Sequence, residues 1–364
     1  MSTKHQSEYS SEAKSGSVTV QEAFTRSGGY GRYQYFMLLC LILGNNGPGF
    51  VVYGVSYFEL DPPYLCTYNV NADLASIPDN AIISADQHQI TYTVECDKET
   101  VCDKKRDLSL ISYEIDKSSK YYIYNWVEQK HLTCVSSGYI GAMGSFGFLG
   151  SALACLFLPH IGDKYGRLMV YRVTIFSTIF VLLLLNLGNH IGAIYIANFC
   201  LGVALIGRFT CGFVLITESA PKNKQNFVGV LFAFGDTIVT IYVTILLRFA
   251  TNDSRVIVWI GFTINILAFI LVLFLTESPT WMAALGHEEH AAKAFAYIAK
   301  FNGVNDFAGK VLEVRPDKFG EDAAENKANN SKLDKNDISI TSNEISKGDT
   351  EFFAAEAKVN QEQN

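Results

Sequence analysis

Charge is scarce in this chain. Asp, Glu, Lys and Arg supply 18% of its 364 residues, against about a quarter in a typical soluble protein. The balance is acidic, at net −7, which excludes a nucleic-acid binder working through a basic face. No nucleotide loop of the G-x-x-x-x-G-K-[ST] type, no H-E-x-x-H pair and no Cys/His cluster with zinc spacing occurs, so no enzyme, cofactor or metal site is expected. His287 and His290 flank Glu288 and Glu289 on a helix read as solvated, which does not make a metal site. The first thirty residues are polar and lack the apolar core of a cleaved leader.

The apolar content, 49% of the chain at a mean hydropathy of +0.15, is concentrated in six runs at 33–57, 136–158, 168–187, 193–217, 227–249 and 256–276. A bilayer core of roughly 30 Å needs about 20 apolar residues as helix. The runs are continuous rather than alternating in period two, so they read as helices and not as strands of a barrel. An all-α integral membrane protein of six transmembrane helices follows, excluding an ordinary soluble enzyme and a fibrous protein. Lys164, Arg167 and Arg172 stand at the second turn-around and Lys222 and Lys224 at the fourth, whereas 188–192 has no Lys or Arg. The excess of Lys and Arg marks the cytosolic side, which puts both ends of the chain there and makes the first run an uncleaved anchor.

Four zones result: a cytosolic segment 1–32, a membrane domain 33–276, a cytosolic amphipathic region 277–316 and a disordered tail 317–364. The connection 58–135 is long and acidic, with 13 Asp/Glu against 7 Lys/Arg. Its Cys66, Cys96, Cys102 and Cys134 suit two disulfides on the non-cytosolic side, with three connectivities open. Cys40, Cys155, Cys200 and Cys211 fall within the runs and read as small packing residues. Ala291, Ala294, Ile298 and Phe301 form the apolar stripe of an interfacial helix, while the tail is rich in Asn, Lys, Asp, Glu and Ser. Asn252-Asp-Ser254 is a glycosylation sequon close to the membrane, and Asn329-Asn-Ser331 falls on the tail.

Gly29-Tyr-Gly-Arg-Tyr-Gln34 stands before the first run, and Gly162-Asp-Lys-Tyr-Gly-Arg167 lies between the second and third. Glu277-Ser-Pro-Thr-Trp281 follows the sixth, with Gly286-His-Glu-Glu-His-Ala-Ala-Lys293 and Ile298-Ala-Lys-Phe-Asn-Gly303 behind it. In this order, with a cysteine-bearing loop after the first run, the chain resembles the amino-terminal half of organic cation/anion transporters of the major facilitator superfamily. The resemblance implies one half of a major facilitator fold and plasma-membrane residence, an organellar membrane being the alternative. It also implies a charge cluster on the cytosolic side. Four departures stand out: Pro159 where the family's loop motif begins with Gly, Leu168 where a basic residue commonly follows, Thr276 and Thr280 for the Pro and Arg of Pro-Glu-Ser-Pro-Arg-Trp, and Asn198 where an Arg is usual. The chain holds six runs where the family has twelve.

In the cytosolic cluster, Asp163 is expected to accept from a helix N-terminus, and Arg167 to hold Glu218 or Glu277 with its planar fork; the cluster serves as a gate or as a fixed clamp. Within the membrane, ionisable groups are costly and mark sites by default. Arg208 lies roughly 12 Å deep and Asp236 roughly 14 Å deep at 1.5 Å per residue, on consecutive helices, so an ion pair is expected, either part of a substrate site or permanently neutralised. Asn45-Asn-Gly-Pro-Gly49 predicts a kink or unwound stretch with both Asn45 and Asn46 toward a polar cavity. Gly141, Gly144, Gly147 and Gly150 predict a close helix contact. The leading expectation is a carrier of small organic ions in the bilayer, with the second bundle supplied by a homodimer or another partner. The alternative is a transport-inactive relative retained as a structural subunit of a membrane complex.

Overall fold

The computed structural model describes residues 17–69, 78, 81–86, 89–103, 110–188, 190–304 and 313–315. The tail 317–364 and the sequon at Asn329 lie outside the described residues. Six helices among those described are long and apolar enough to cross a membrane: Arg32–Phe58, Ser137–Tyr165, Arg167–Leu187, Ile191–Glu218, Lys222–Ala250 and Ser254–Val272. Helix is the form in which an apolar run satisfies its own backbone without water.

In chain order, strand β1 (Ser17–Thr19) and helix α1 (Val20–Arg26) precede the first span, α2 (Arg32–Val52) extended by α3 (Val55–Phe58). The connection to the second span holds β2 (Tyr64–Asn69), β3 (Ile82–Asp86), β4 (Gln89–Cys96), α4 (Lys98–Cys102), β5 (Leu110–Ile115) and α5 (Trp126–Gln129). Spans two to four are α6 (Ser137–Tyr165), α7 (Arg167–Leu187) and α8 (Ile191–Glu218). Span five is α9 (Gln225–Thr237) and α10 (Val239–Ile245), closed by a wide turn at Leu246–Ala250, and span six is α11 (Ser254–Val272). Helices α12 (Pro279–Ala284) and α13 (Glu288–Asn302) and strand β6 (Glu313–Arg315) follow.

The expected runs match these helices, with α6 continuing through Pro159 to Tyr165. Small residues set the contacts, because in lipid helices associate by close packing rather than by escape from water. A Cβ on Gly202 of α8 would strike the Gly147 carbonyl of α6, and one on Gly150 would strike the Phe199 carbonyl. The glycine stripe thus divides: Gly147 and Gly150 face α8, Gly144 faces Val55 and Glu59, and Gly141 meets nothing. Gly47 and Gly261 bring α2 against α11 in the same manner. Two apolar clusters fill the bundle, one toward the basic turns around Tyr33, Met37, Tyr171 and Phe232, the other at the opposite end around Phe50, Phe58, Leu182 and Val239.

The long connection is not a structureless loop. Its strands form an antiparallel sheet in the order β3-β4-β2-β5, and β2 alternates buried with half-buried residues. Composition alone hid this; the period-two pattern of Tyr64, Cys66 and Tyr68 carries it. The four cysteines pair as Cys66–Cys96 and Cys102–Cys134, which selects one of the three connectivities. Asn125 ties the insertion to the bundle by donating to the carbonyls of Tyr57 at 3.2 Å and Leu60 at 2.6 Å. Trp126 beside it is buried against Phe58, and Tyr124 forms a parallel bridge with Asp253.

At the other end, α13 buries Ala291, Ala294, Phe295 and Ile298, while Phe301 stays 39% exposed. The expected interfacial stripe is covered within the chain: Phe295 meets Phe24 of α1 edge-on, and Phe301 meets Tyr33 and Phe36 of α2. Asn302 accepts from the Tyr33 amide at 2.9 Å and donates to the Ser27 carbonyl at 3.0 Å. Strands β1 and β6 pair in parallel.

Candidate functional site

Of the two forms expected at Pro48, an unwound stretch does not occur. Helix α2 runs unbroken through the proline and turns only at Tyr53. Proline has no N–H, so the carbonyl four residues earlier, on Gly44, has no helical donor. The Nη1 of Arg208 donates to that carbonyl at 3.4 Å and to Oδ1 of Asn265 at 3.4 Å, while its Nε donates to the Ala204 carbonyl at 3.2 Å. Asn265 is fully buried and is oriented by donating to the Ile175 carbonyl at 3.1 Å. Spans one, three, four and six therefore converge on one guanidinium.

Asp236 faces the same region from span five, 4% exposed, but does not ion-pair with Arg208. Its Oδ2 accepts from the Tyr53 hydroxyl at 2.7 Å. The pair expected from neighbouring helices is replaced by two separate anchors on span one, the Gly44 carbonyl for Arg208 and the Tyr53 hydroxyl for Asp236. Among the described residues, Nη2 of Arg208, Oδ1 of Asp236, both amide atoms of Asn45 and Oδ1 of Asn46 are buried without a partner. Buried polar atoms in native proteins are nearly always satisfied, and leaving one unpaired costs about 1–3 kcal/mol. These five atoms, on spans one, four and five, include donors as well as acceptors. Asn265 and Tyr53 were not anticipated. Asn265 is legible as a lone amide in an apolar run, whereas nothing in the sequence marks Tyr53.

The charge cluster at the basic turns is assembled with exchanged roles. Arg167 holds Asp163 and Glu218, each at 3.0 Å. Glu277, not Asp163, caps a helix N-terminus: its carboxylate accepts from the Leu168 amide at 3.0 and 3.1 Å. Gly166, at φ 106°, makes the turn that exposes this amide, and a Cβ there would strike Glu277. Thr280 donates to the Glu218 carbonyl at 2.6 Å, and Trp281 stacks near Arg167 and donates to the Asp163 carbonyl at 2.9 Å. Among the described residues, Arg167 keeps Nε and Nη1, and Glu218 keeps Oε2, without partners.

With Arg167 only 12% exposed and Glu218 23%, Arg167→Ala is expected to cost roughly 2 kcal/mol, below the range for a fully buried pair. Arg167→Lys should recover part of it. Thermal unfolding in detergent reads both; an unchanged midpoint for the Ala variant would remove the cluster from the stability account.

Glu59 follows α3 and leans on Gly144, which leaves room for its carboxylate. Burial pushes this carboxyl from its ordinary 4.5 up to about 7. The folded state then holds the proton more tightly than the unfolded one. The contribution is whole below pH 4.5 and is lost as pH rises through 7. Glu59→Gln is expected to match the parent's unfolding temperature near pH 4.5 and exceed it at pH 8; a lower midpoint at pH 8 would contradict this.

Residues 83–332, more than half of the chain, match the family model described as sugar (and other) transporter. The chain belongs to that family. It is thereby a major facilitator protein of the membrane, typically the plasma membrane, in a family of transporters rather than enzymes. Mouse solute carrier family 22 member 3 is 23% identical over 318 residues, covering 78% of this chain and 56% of the relative. Organic cation transporter 1 of Caenorhabditis elegans is 22% identical over 291 residues, covering 76% and 48%. Solute carrier family 22 member 6 of Pseudopleuronectes americanus is 24% identical over 204 residues, covering 55% and 35%. The chain spans about half the length of the first two. The family resemblance read from the loop motifs is upheld, as is the six-helix bundle with a disulfide-bearing insertion after the first helix.

Proposed function

We propose that this chain forms one lobe of an organic-ion carrier, with its substrate centre at Asn45, Asn46, Arg208 and Asp236. The observation that carries this reading is the set of buried polar atoms on Asn45, Asn46, Arg208 and Asp236 that lack partners among the described residues, where a ligand would supply what they lack. The relatives' name of organic cation transporter suggests a cation, for which Asp236 is the available counter-charge, since the guanidinium of Arg208 is already held by Gly44 and Asn265.

Alternating access needs two bundles moving about a central site. The second bundle is a further copy of this chain or a similar-sized partner. The basic turns lie on the cytosolic side, where Asp163, 67% exposed and held by Arg167, is open to the opposing lobe and makes the cluster a gate. A second reading has one observation in its favour. Arg208 is fixed by three carbonyl or amide oxygens, as in a permanent scaffold, which suits a structural subunit of a larger membrane complex.

Uptake of a fluorescent organic cation into vesicles reconstituted with the chain, together with any similar-sized partner that is extracted with it, tests the first reading, and no accumulation above empty vesicles would overturn it. Native mass after gentle extraction separates the two: a homodimer or a similar-sized pair fits the carrier, and comigration with a large assembly of unrelated proteins fits the subunit.

A further inference from the structure

A second recess lies at the end of the bundle that carries the sheet. It encloses about 350 Å³ between the end of span one, the segment at 120–123 and the end of span five, a volume near the lower end of small-molecule sites. Thr244, in its wall, stands eight residues beyond Asp236, roughly 12 Å along the helix at 1.5 Å per residue. The recess is therefore separate from the mid-depth centre. Tyr57 and Thr244 are joined hydroxyl to hydroxyl at 3.3 Å, and Tyr121 and Tyr122 add two further phenol rings to the lining.

The charge in this recess is of one sign. Lys120 and Arg248 both line it, and neither has a carboxylate partner among the described residues. Arg248 uses Nη1 to donate to the Lys120 carbonyl at 3.2 Å, which holds the two cations on the same rim. The Lys120 ammonium lies 4.8 Å from the centre of the Tyr121 ring. Two acids close by are already engaged, and Glu59, beside Leu60 of the lining, sets its carboxylate against Gly144. Glu128 accepts from the Tyr122 hydroxyl at 2.9 Å and pairs with Lys117 at 3.7 Å, while Asp253 is held by Arg255 and by the start of α11.

The geometry points to a binding site for an aromatic carboxylate in this recess, with Lys120 and Arg248 countering the charge and the tyrosines contacting the ring. A cation suited to Asp236 would be repelled here, so the site is not a waiting position for such a substrate. It stands whether or not the chain moves ions, because it is read by binding alone.

The test is titration of the purified full chain in detergent with 1-naphthoate, beside the neutral 1-naphthylmethanol and the cationic 1-naphthylmethylammonium. Naphthoate is expected to bind at least about tenfold more tightly than either analogue. Each exposed charge is worth up to about 1 kcal/mol, so Lys120→Gln and Arg248→Gln should each weaken naphthoate about threefold to fivefold, and together about tenfold or more. Raising the salt should weaken it further. Arg248→Gln also removes a loop contact, so the Lys120→Gln variant, which removes no hydrogen bond, keeps the result readable. Equal binding by the neutral analogue, unchanged affinity in the double variant, or no naphthoate binding would each overturn the assignment. Loss of naphthoate binding in Asp236→Asn would place the ligand at the mid-depth centre instead and would also overturn it.

Discussion

Asp236→Asn is expected to give a bundle that folds like the parent and accumulates at least tenfold less organic cation in reconstituted vesicles. Asparagine keeps the size of the side chain and an oxygen able to accept from Tyr53, the only hydrogen bond the carboxylate makes among the described residues. The unfolding temperature should therefore shift little. What disappears is the negative charge, and with it the counter-ion for a cation in a region of low dielectric where one charge outweighs many dispersion contacts. Tyr53→Phe supplies the complementary case. It keeps the charge and removes the donor that positions it, so affinity for the cation should change before turnover does. Uptake by Asp236→Asn equal to that of the parent would refute the placement of the substrate centre.

Gly202→Val should abolish the folded bundle. A Cβ at this position runs into the backbone carbonyl of Gly147, and backbone cannot rotate away as a side chain would. Overpacking in a core costs about 1–3 kcal/mol when neighbours can adjust. Here α6 and α8 must separate along their shared seam, breaking the Ser151 bond to the Gly202 carbonyl at 3.2 Å as well. We expect aggregated material on size-exclusion chromatography. Gly141→Ala is the control on the same stripe, since nothing lies within 4 Å of its added methyl, and it should fold at least as well as the parent. A monodisperse Gly202→Val protein of normal stability would show that the seam is looser than described.

The six spans were legible because an apolar run of membrane length has few alternatives to a helix. The residues that bond between spans were much less so. Sequence places Arg208 and Asp236 at similar depth but does not say which faces they occupy, and the groups they bond instead, the Gly44 carbonyl and Tyr53, both come from the first span, far away in the chain. Pro48 is a related case. The missing N–H is readable from the sequence, but the neighbour that uses the freed carbonyl is not one that pattern alone locates. In the charge cluster the participants were readable from the loop motifs, but the assignment of Glu277 to the Leu168 amide depends on the turn at Gly166. The sheet escaped because its strands lie in a polar stretch judged by its charges. Alternation of Tyr64, Cys66 and Tyr68, with aromatic and β-branched residues at 89–96, was the signal available.

Asn302 joins the end of α13 to the start of the first span through Tyr33 and Ser27. The inner face of that helix is packed against α1 and α2. A spectroscopic label attached at Glu289 or Lys293, 70% and 69% exposed on its outer side, would consequently report the tilt of the first span as well as that of α13.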